Sequence, residues 1–295
     1  MRTIRISSVC LVLVSLLLGT LSDAPRTHPP LMVGGYRVLV ADFHVHSFPL
    51  SWTTLAPWDT VIEAQHQGLD VIAMTPHNHV WIAKVGHWFS KLIGGPTVLV
   101  GEEIAAPRYH LLAVGIHDAI PWNLSAADAI NAVHRQGGVV IAAHPRKKFW
   151  PPYDDAALDK LDGSEVQHPL IYATRAGYPE ILAFYERTHA AAIGDSDYHS
   201  LGPMGVCRTY VFAQENSAAA VLEAIRARHT VVLDRDGRTY GDPELIQLVQ
   251  ENPEFAQLNA SYDWSNPGWM ARVSALFGIL GIIGLSVLGW EKPSA

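Results

Sequence analysis

Short apolar runs recur along the middle of the chain, each ending in polar residues. They fall at 37–42 (RVLVAD), 70–75 (DVIAMT), 97–100, 109–115 (YHLLAVG), 139–143, 165–166, 191–194 and 208–213. Each reads as a strand. The segments between them carry helix signals. Residues 58–67 follow Pro57 and stop at Gly68, and residues 125–136 open with Ser125 three before Asp128 and stop at Gly137-Gly138. Further helices are predicted over 156–161, 179–189 and 217–228. Continuous apolar strands alternating with helices predict parallel pairing with helices outside. Polar residues gather just after the strands, which favours a closed barrel with a site at its C-terminal rim over an open sheet.

The ends of the chain have a different pattern. Residues 6–21 are uncharged and mostly apolar, and Arg2 and Arg5 precede them. Residues 1–23 thus read as a signal peptide or, because Pro25 follows Ala24 at the cleavage position, an uncleaved membrane anchor. A linker follows over 24–36, then the barrel over 37–235 and a spacer over 236–268. Residues 273–290 are uncharged and show no polar stripe. With flanks, a helix there is about 28 Å long, and a transmembrane helix is predicted over 269–290 with a short tail at 291–295. Gly278, Gly281 and Gly284 are spaced by three, so no GxxxG pairing is predicted. The arginines before the first apolar run favour a cytoplasmic N-terminus, placing the barrel outside the cytoplasm at a membrane.

Composition narrows the chemistry. With 295 residues, 49% of them hydrophobic, there is enough chain for one substantial core. A net charge of −7 argues against an extended nucleic-acid surface but allows a small phosphorylated substrate. Only Cys207 lies in the folded part, so a disulfide framework and a thiolate zinc site are excluded. The 15 histidines, by contrast, cluster in short motifs.

Those motifs stand at strand ends. His44 and His46 in Asp42-Phe43-His44-Val45-His46 share a face, as alternate residues of a strand do. Thr75-Pro76-His77-Asn78-His79 follows the strand that Asp70 opens. Glu102 and Glu103 follow Gly101, and a carboxylate can bridge two divalent cations. His110 lies inside an apolar strand, where a histidine is more often a core residue. His144 ends Ala142-Ala143-His144-Pro145, and Asp197 and His199 end Gly194-Asp195-Ser196-Asp197-Tyr198-His199. Each motif alone is compatible with ordinary polar strand ends. Together they offer imidazole and carboxylate without thiolate, in excess of four ligands, which suits more than one Zn, Mn or Fe ion.

The segments DFHVHS, GLDVIAMTPHN, GEEI, HLLAVGI, AAHP and GDSDYHS resemble, in order, the signatures of the polymerase and histidinol phosphatase (PHP) superfamily. The resemblance spans about 38–235, and the closing SAAAVLEAIRARHTVV is similar to a carbamate-hydrolase-like branch. It implies a distorted seven-stranded β/α barrel with two or three metals at its rim. His44, His46 and Asp197 would hold one metal, His110 and His144 a second, and Glu103 would bridge them. His77 and His199 would serve a third. Asp42 and Asp70 would orient ligand rings. The stretch Phe48-Pro49-Leu50-Ser51-Trp52 departs from the pattern by carrying no further third-metal ligand.

The implied activity is metal-dependent phosphoester hydrolysis by a metal-activated water. Arg146, Lys147 and Lys148 would clamp substrate phosphate, or else form a solvated loop. Trp150 and Tyr153 would wall the site, or else pack in the core. The alternatives are hydrolysis of carboxylic ester, amide or carbamate bonds, and a non-catalytic metal-binding domain anchored to a membrane.

Overall fold

The structure is a computed structural model that describes residues 2–22, 27–169, 178–199, 203–234, 236–260 and 269–289. It divides into two compact units, Arg26–Ser261 and the paired terminal segments Met1–Pro25 and Tyr262–Ala295.

Among the described residues the larger unit has eleven strands: β1 Leu31–Val33, β2 Tyr36–Val45, β3 Val71–Met74, β4 Thr97–Ala106, β5 Tyr109–Val114, β6 Val139–Ala142, β7 Gly163–Gln167, β8 Ala191–Gly194, β9 Thr209–Ala213, β10 Thr230–Leu233 and β11 Thr239–Gly241. The sheet runs β11-β10-β9-β2-β3-β4-β5-β6-β7-β8, with β1 paired on β2. The expectation of seven strands is thus an undercount. Parallel pairing joins β2, β3 and β4, and again β6, β7 and β8. The other main pairings are antiparallel, contrary to the all-parallel expectation. The reason for the break at β4–β5 is local. Only Pro107 and Arg108 separate these strands, and so short a turn can join antiparallel neighbours alone. Gly101 lets them approach, since a Cβ there would lie 2.5 Å from Ala113 O.

The sheet curls into a nearly closed barrel. Threonine hydroxyls link β8 to β9 and β10. Thr209 Oγ1 accepts from Gly194 N at 2.9 Å and donates to Gly194 O at 3.0 Å, and Thr230 Oγ1 donates to Ala192 O at 2.8 Å. Helices cover the strands. On the helix Ala126–Arg135, Ala129, Ile130 and Val133 pack in one buried cluster with Leu111, Ala113, Val140 and Ala142 of β5 and β6. Its start is capped as predicted, with Ser125 Oγ accepting from Asp128 N at 3.1 Å.

Residues 236–260, expected to be spacer, instead form β11 and the helices Pro243–Glu251 and Pro253–Ala260. The buried ring of Phe255 packs on Tyr210 of β9 with centroids 4.5 Å apart, so this segment belongs to the core.

The terminal unit pairs the helices Arg2–Ser22 and Trp269–Gly289. Ser15 Oγ donates to Ser274 O at 2.7 Å and Ser274 Oγ to Ser15 O at 2.8 Å. At Gly281 a Cβ would lie 2.9 Å from Ser8 O, so the glycine permits the close approach. Among the described residues no helix is long and apolar enough to cross a membrane. The expected C-terminal span is therefore not reproduced. Trp290 and the tail 291–295 lie outside the described residues.

Candidate metal centre

The barrel brings all eight expected ligands to one place. His44 lies in β2 and His46 one residue beyond it, both fully buried. His77 follows β3 and forms a parallel bridge with Glu103. Glu103 lies inside β4 rather than after a strand, because β4 runs on to Ala106. His110 sits in the neighbouring β5, opposite Ala105. His144 follows β6, and Asp197 and His199 follow β8.

Glu103 divides its two oxygens between two groups of imidazoles. Oε2 lies 3.3 Å from His44 Nε2, 3.4 Å from His46 Nε2 and 2.9 Å from His77 Nε2. Oε1 lies 2.5 Å from His110 Nδ1 and 3.3 Å from His144 Nε2. Asp197 Oδ1 closes the first group at 3.2 Å from each of His44 Nε2 and His46 Nε2. Four donors set tetrahedrally at 2.0–2.1 Å from an ion are about 3.3–3.4 Å apart, so the spacing of the first group fits a divalent cation. His44 Nε2, His46 Nε2 and Asp197 Oδ1 are moreover buried without a hydrogen-bond partner. Buried polar atoms rarely stay unpaired, and a set of donors converging on one divalent cation fits all three.

Two more ligand-atom groups adjoin these. His46, His77 and His199 form one, but His46 already belongs to the first group. His144, His168 and Asp197 form the other. His168 follows β7, and its Nε2 lies 3.0 Å from Asp197 Oδ2. Sequence reasoning missed it because β7 reads Gly-Ser-Glu-Val-Gln and hides the apolar-strand-then-histidine signal seen elsewhere.

The backbone is strained where ligands are aimed. His144 (φ 29°) and Asp197 (φ 42°) occupy the left-handed region, as does Asn78 (φ 54°) beside His77. Glu165 holds the first of these, accepting from His144 N at 2.6 Å through Oε2. Its Oε1 lies 2.8 Å from His44 Nδ1, which turns Nε2 toward Glu103 and Asp197. Ser51 Oγ does the same for His46 Nδ1 at 3.0 Å. Neither Glu165 nor Ser51 was assigned this role from the sequence.

The two aspartates expected to orient rings act elsewhere. Asp42 touches backbone: Oδ1 accepts from His44 N at 3.2 Å and Ser196 N at 3.1 Å, and Oδ2 from Gly205 N at 2.8 Å. It joins two ligand-bearing segments without touching a ligand ring. Asp70 is not at the centre. It precedes β3, where Oδ2 accepts from Val40 N at 2.9 Å and pairs with His28 at 3.2 Å. The four residues of β3 separate it from the rim by about 13 Å.

Electrostatics match a cation site. Burial alone would lower the His44 pKa, but Asp197 and Glu103 outweigh it and hold the imidazole well above its ordinary range. Burial would raise Glu103 and Asp197, yet the surrounding imidazoles, His44 foremost, hold both well below theirs. Burial prevails at His46 and lowers it. Protons on imidazole thus balance negative charge that a divalent cation would balance instead.

The expected phosphate clamp lies beside this centre. Arg146 is half-buried, and Lys147 and Lys148 are exposed on a short 3-10 turn, Lys147–Phe149. Lys148 Nζ lies 4.4 Å from the centroid of the Phe149 ring, which packs 4.8 Å from that of His110. Lys147 N donates to Glu180 Oε2 at 3.1 Å. Of the two readings for Trp150 and Tyr153, the contacts fit core packing. Trp150 Nε1 donates to Pro145 O at 2.8 Å, Tyr153 Oη donates to His110 O at 2.8 Å, and both rings pack on Phe184.

Known proteins share this arrangement of chain. Residues 180–230 match the PHP-associated family. The uncharacterized protein MJ1587 of Methanocaldococcus jannaschii is 31% identical over 140 residues, which cover 43% of this chain and 80% of that protein. The chain belongs to the PHP superfamily. The PHP fold is also seen in a two-domain protein from Bacteroides vulgatus containing a predicted PHP-like metal-dependent phosphoesterase. That structure has a TM-score of 0.61 and 23% identity, covering 76% of this chain and 73% of its own.

Proposed function

We propose that this PHP protein is a metal-dependent phosphoesterase with two tightly held divalent cations, Zn, Mn or Fe, and a weak third position. The observation that carries the reading is Glu103, whose oxygens face two separate imidazole groups. His44, His46 and Asp197 would share one ion with Glu103, and His110 and His144 the other. A third ion would draw on His77 and His199 and compete for His46. The bound cations would lower the pKa of a water to near neutrality and offset charge on the scissile group.

The chain's own residues supply position and charge. Glu165 and Ser51 fix the rings of His44 and His46, so little reorganisation accompanies reaction. Arg146, Lys147 and Lys148 begin two residues after His144 and would hold phosphate oxygens through charge-assisted bonds. A neutral carboxylic ester, amide or carbamate gains little from three cations there, which favours a phosphoester.

A panel of phosphomonoesters, phosphodiesters, carboxylic esters and carbamates, each with and without added Mn or Zn, tests this reading. Metal-dependent turnover fastest on a phosphoester supports it. Faster turnover of carboxylic esters or carbamates contradicts the substrate class, and no turnover with any metal favours a non-catalytic domain. We also place the barrel outside the cytoplasm, because Arg2 and Arg5 precede the N-terminal apolar run. Protease added to intact cells or spheroplasts should cleave it, and full protection in both overturns that placement.

A further inference from the structure

Residues 47–55 leave β2 and return as a loop closed on itself. Phe48 N donates to Leu55 O at 2.8 Å, Ser47 Oγ donates to the same carbonyl at 3.0 Å, and Thr53 N donates to Ser51 O at 2.8 Å. Ser51 points inward to His46, which ties the loop to the metal centre. Its large apolar side chains are exposed. Phe48 is 54% exposed, Leu50 36% and Trp52 92%. Three large apolar side chains clustered at the mouth of a candidate active site form a patch of the kind that marks a binding surface.

They line an open cleft of about 580 Å³, a size that suits a small molecule. It is lined by residues 48–54 and by His199, whose ring centroid is 3.9 Å from that of His46. The cavity therefore opens onto the ligand cluster. Histidine apart, its lining has no ionisable side chain. A charged group would find no counter-charge there beyond His199, and the hydroxyls of Ser51, Thr53 and Thr54 are its other polar side chains, whereas a flat ring would find an indole and a phenyl face.

We propose that this cavity receives an aromatic leaving group, so that the substrate is an aryl or heteroaryl phosphoester, with Trp52 and Phe48 as specificity-determining residues. The proposal rests on the phosphoesterase reading. In the reaction, the oxygen of water bonds to phosphorus as the bond from phosphorus to the aryl oxygen breaks. One proton of the water leaves on the aryl alcohol and the other stays with the phosphate.

The test uses the full chain loaded with Mn. Calorimetry compares binding of phenylphosphonate and methylphosphonate, which share the charged head and are not hydrolysed. Kinetics compare kcat/KM for 1-naphthyl phosphate and glycerol 2-phosphate. The wild type should favour the aromatic member of each pair by about tenfold or more, a margin in keeping with one good ring–ring contact. Trp52→Ala should erase most of that preference at unchanged metal content, and Trp52→Phe should retain it. Equal binding of the two phosphonates, or a preference that Trp52→Ala leaves intact, overturns the proposal. Ring-selective binding that Trp52→Ala removes, without turnover of any phosphoester, supports the cavity's assignment and overturns the phosphoesterase reading alone.

Discussion

Glu165 Oε1 lies 2.8 Å from His44 Nδ1, while Oε2 accepts the His144 amide at 2.6 Å. One buried carboxylate thus orients a ring expected at the first ion and fixes the strained backbone of a residue expected at the second. Glu165→Gln keeps the size of the side chain but removes the charge. It should weaken metal binding by about 10- to 100-fold, as removal of ring-orienting partners does elsewhere. Chelator competition measures this, and unchanged affinity would remove Glu165 from the site.

Glu102 gives a separate prediction because it points away from the cluster. It is fully buried, and Oε1 accepts from Ile120 N while Oε2 has no hydrogen-bond partner. Burial pushes its pKa from 4.5 up to about 7. The folded state therefore holds this proton more tightly than the unfolded chain. Stability from Glu102 is greatest below pH 4.5 and declines as pH rises to about 7, by on the order of 3 kcal/mol. Glu102→Gln removes that decline. Urea unfolding of both proteins across this range should show the variant gaining relative to wild type as pH increases, whereas parallel curves would contradict the assignment.

The phosphate clamp is tested by replacing Arg146 and Lys147 together with alanine. Charge-assisted hydrogen bonds contribute roughly 1.5–3 kcal/mol, so kcat/KM for phosphoesters should fall about tenfold or more. KM should rise, and metal content should not change. Wild-type kinetics in the double variant would leave Arg146, Lys147 and Lys148 as a solvated loop.

The motif histidines other than His110, which lies at the start of β5, were legible because each follows or ends an apolar run, and a barrel sends such residues to one rim. Position within a strand was less legible. Glu103 was read as standing after a short strand, but β4 continues to Ala106 because β5 pairs along its whole second half. The alternation that separates Glu103 from Glu102 comes from this pairing. Asp70 was placed at the centre by the family resemblance, although it precedes β3, which His77 follows, and so lies at the opposite end of the barrel. Glu165 and His168 were not read because β7 is polar. Glu165 is buried against His44 and the His144 amide, so hydrophobicity carries no signal there. The C-terminal part of the fold was mistaken for spacer because its buried contacts, such as Phe255 on Tyr210, are long-range.

The bridging role of Glu103 is tested most directly by counting metal. Elemental analysis of the full chain, purified with Mn or Zn supplied, should give two tightly bound ions per chain in the wild type and in Glu102→Gln. Glu103→Gln should lower that number and abolish turnover. One ion or none in the wild type, or full occupancy in Glu103→Gln with loss in Glu102→Gln, would contradict the dinuclear centre built around Glu103.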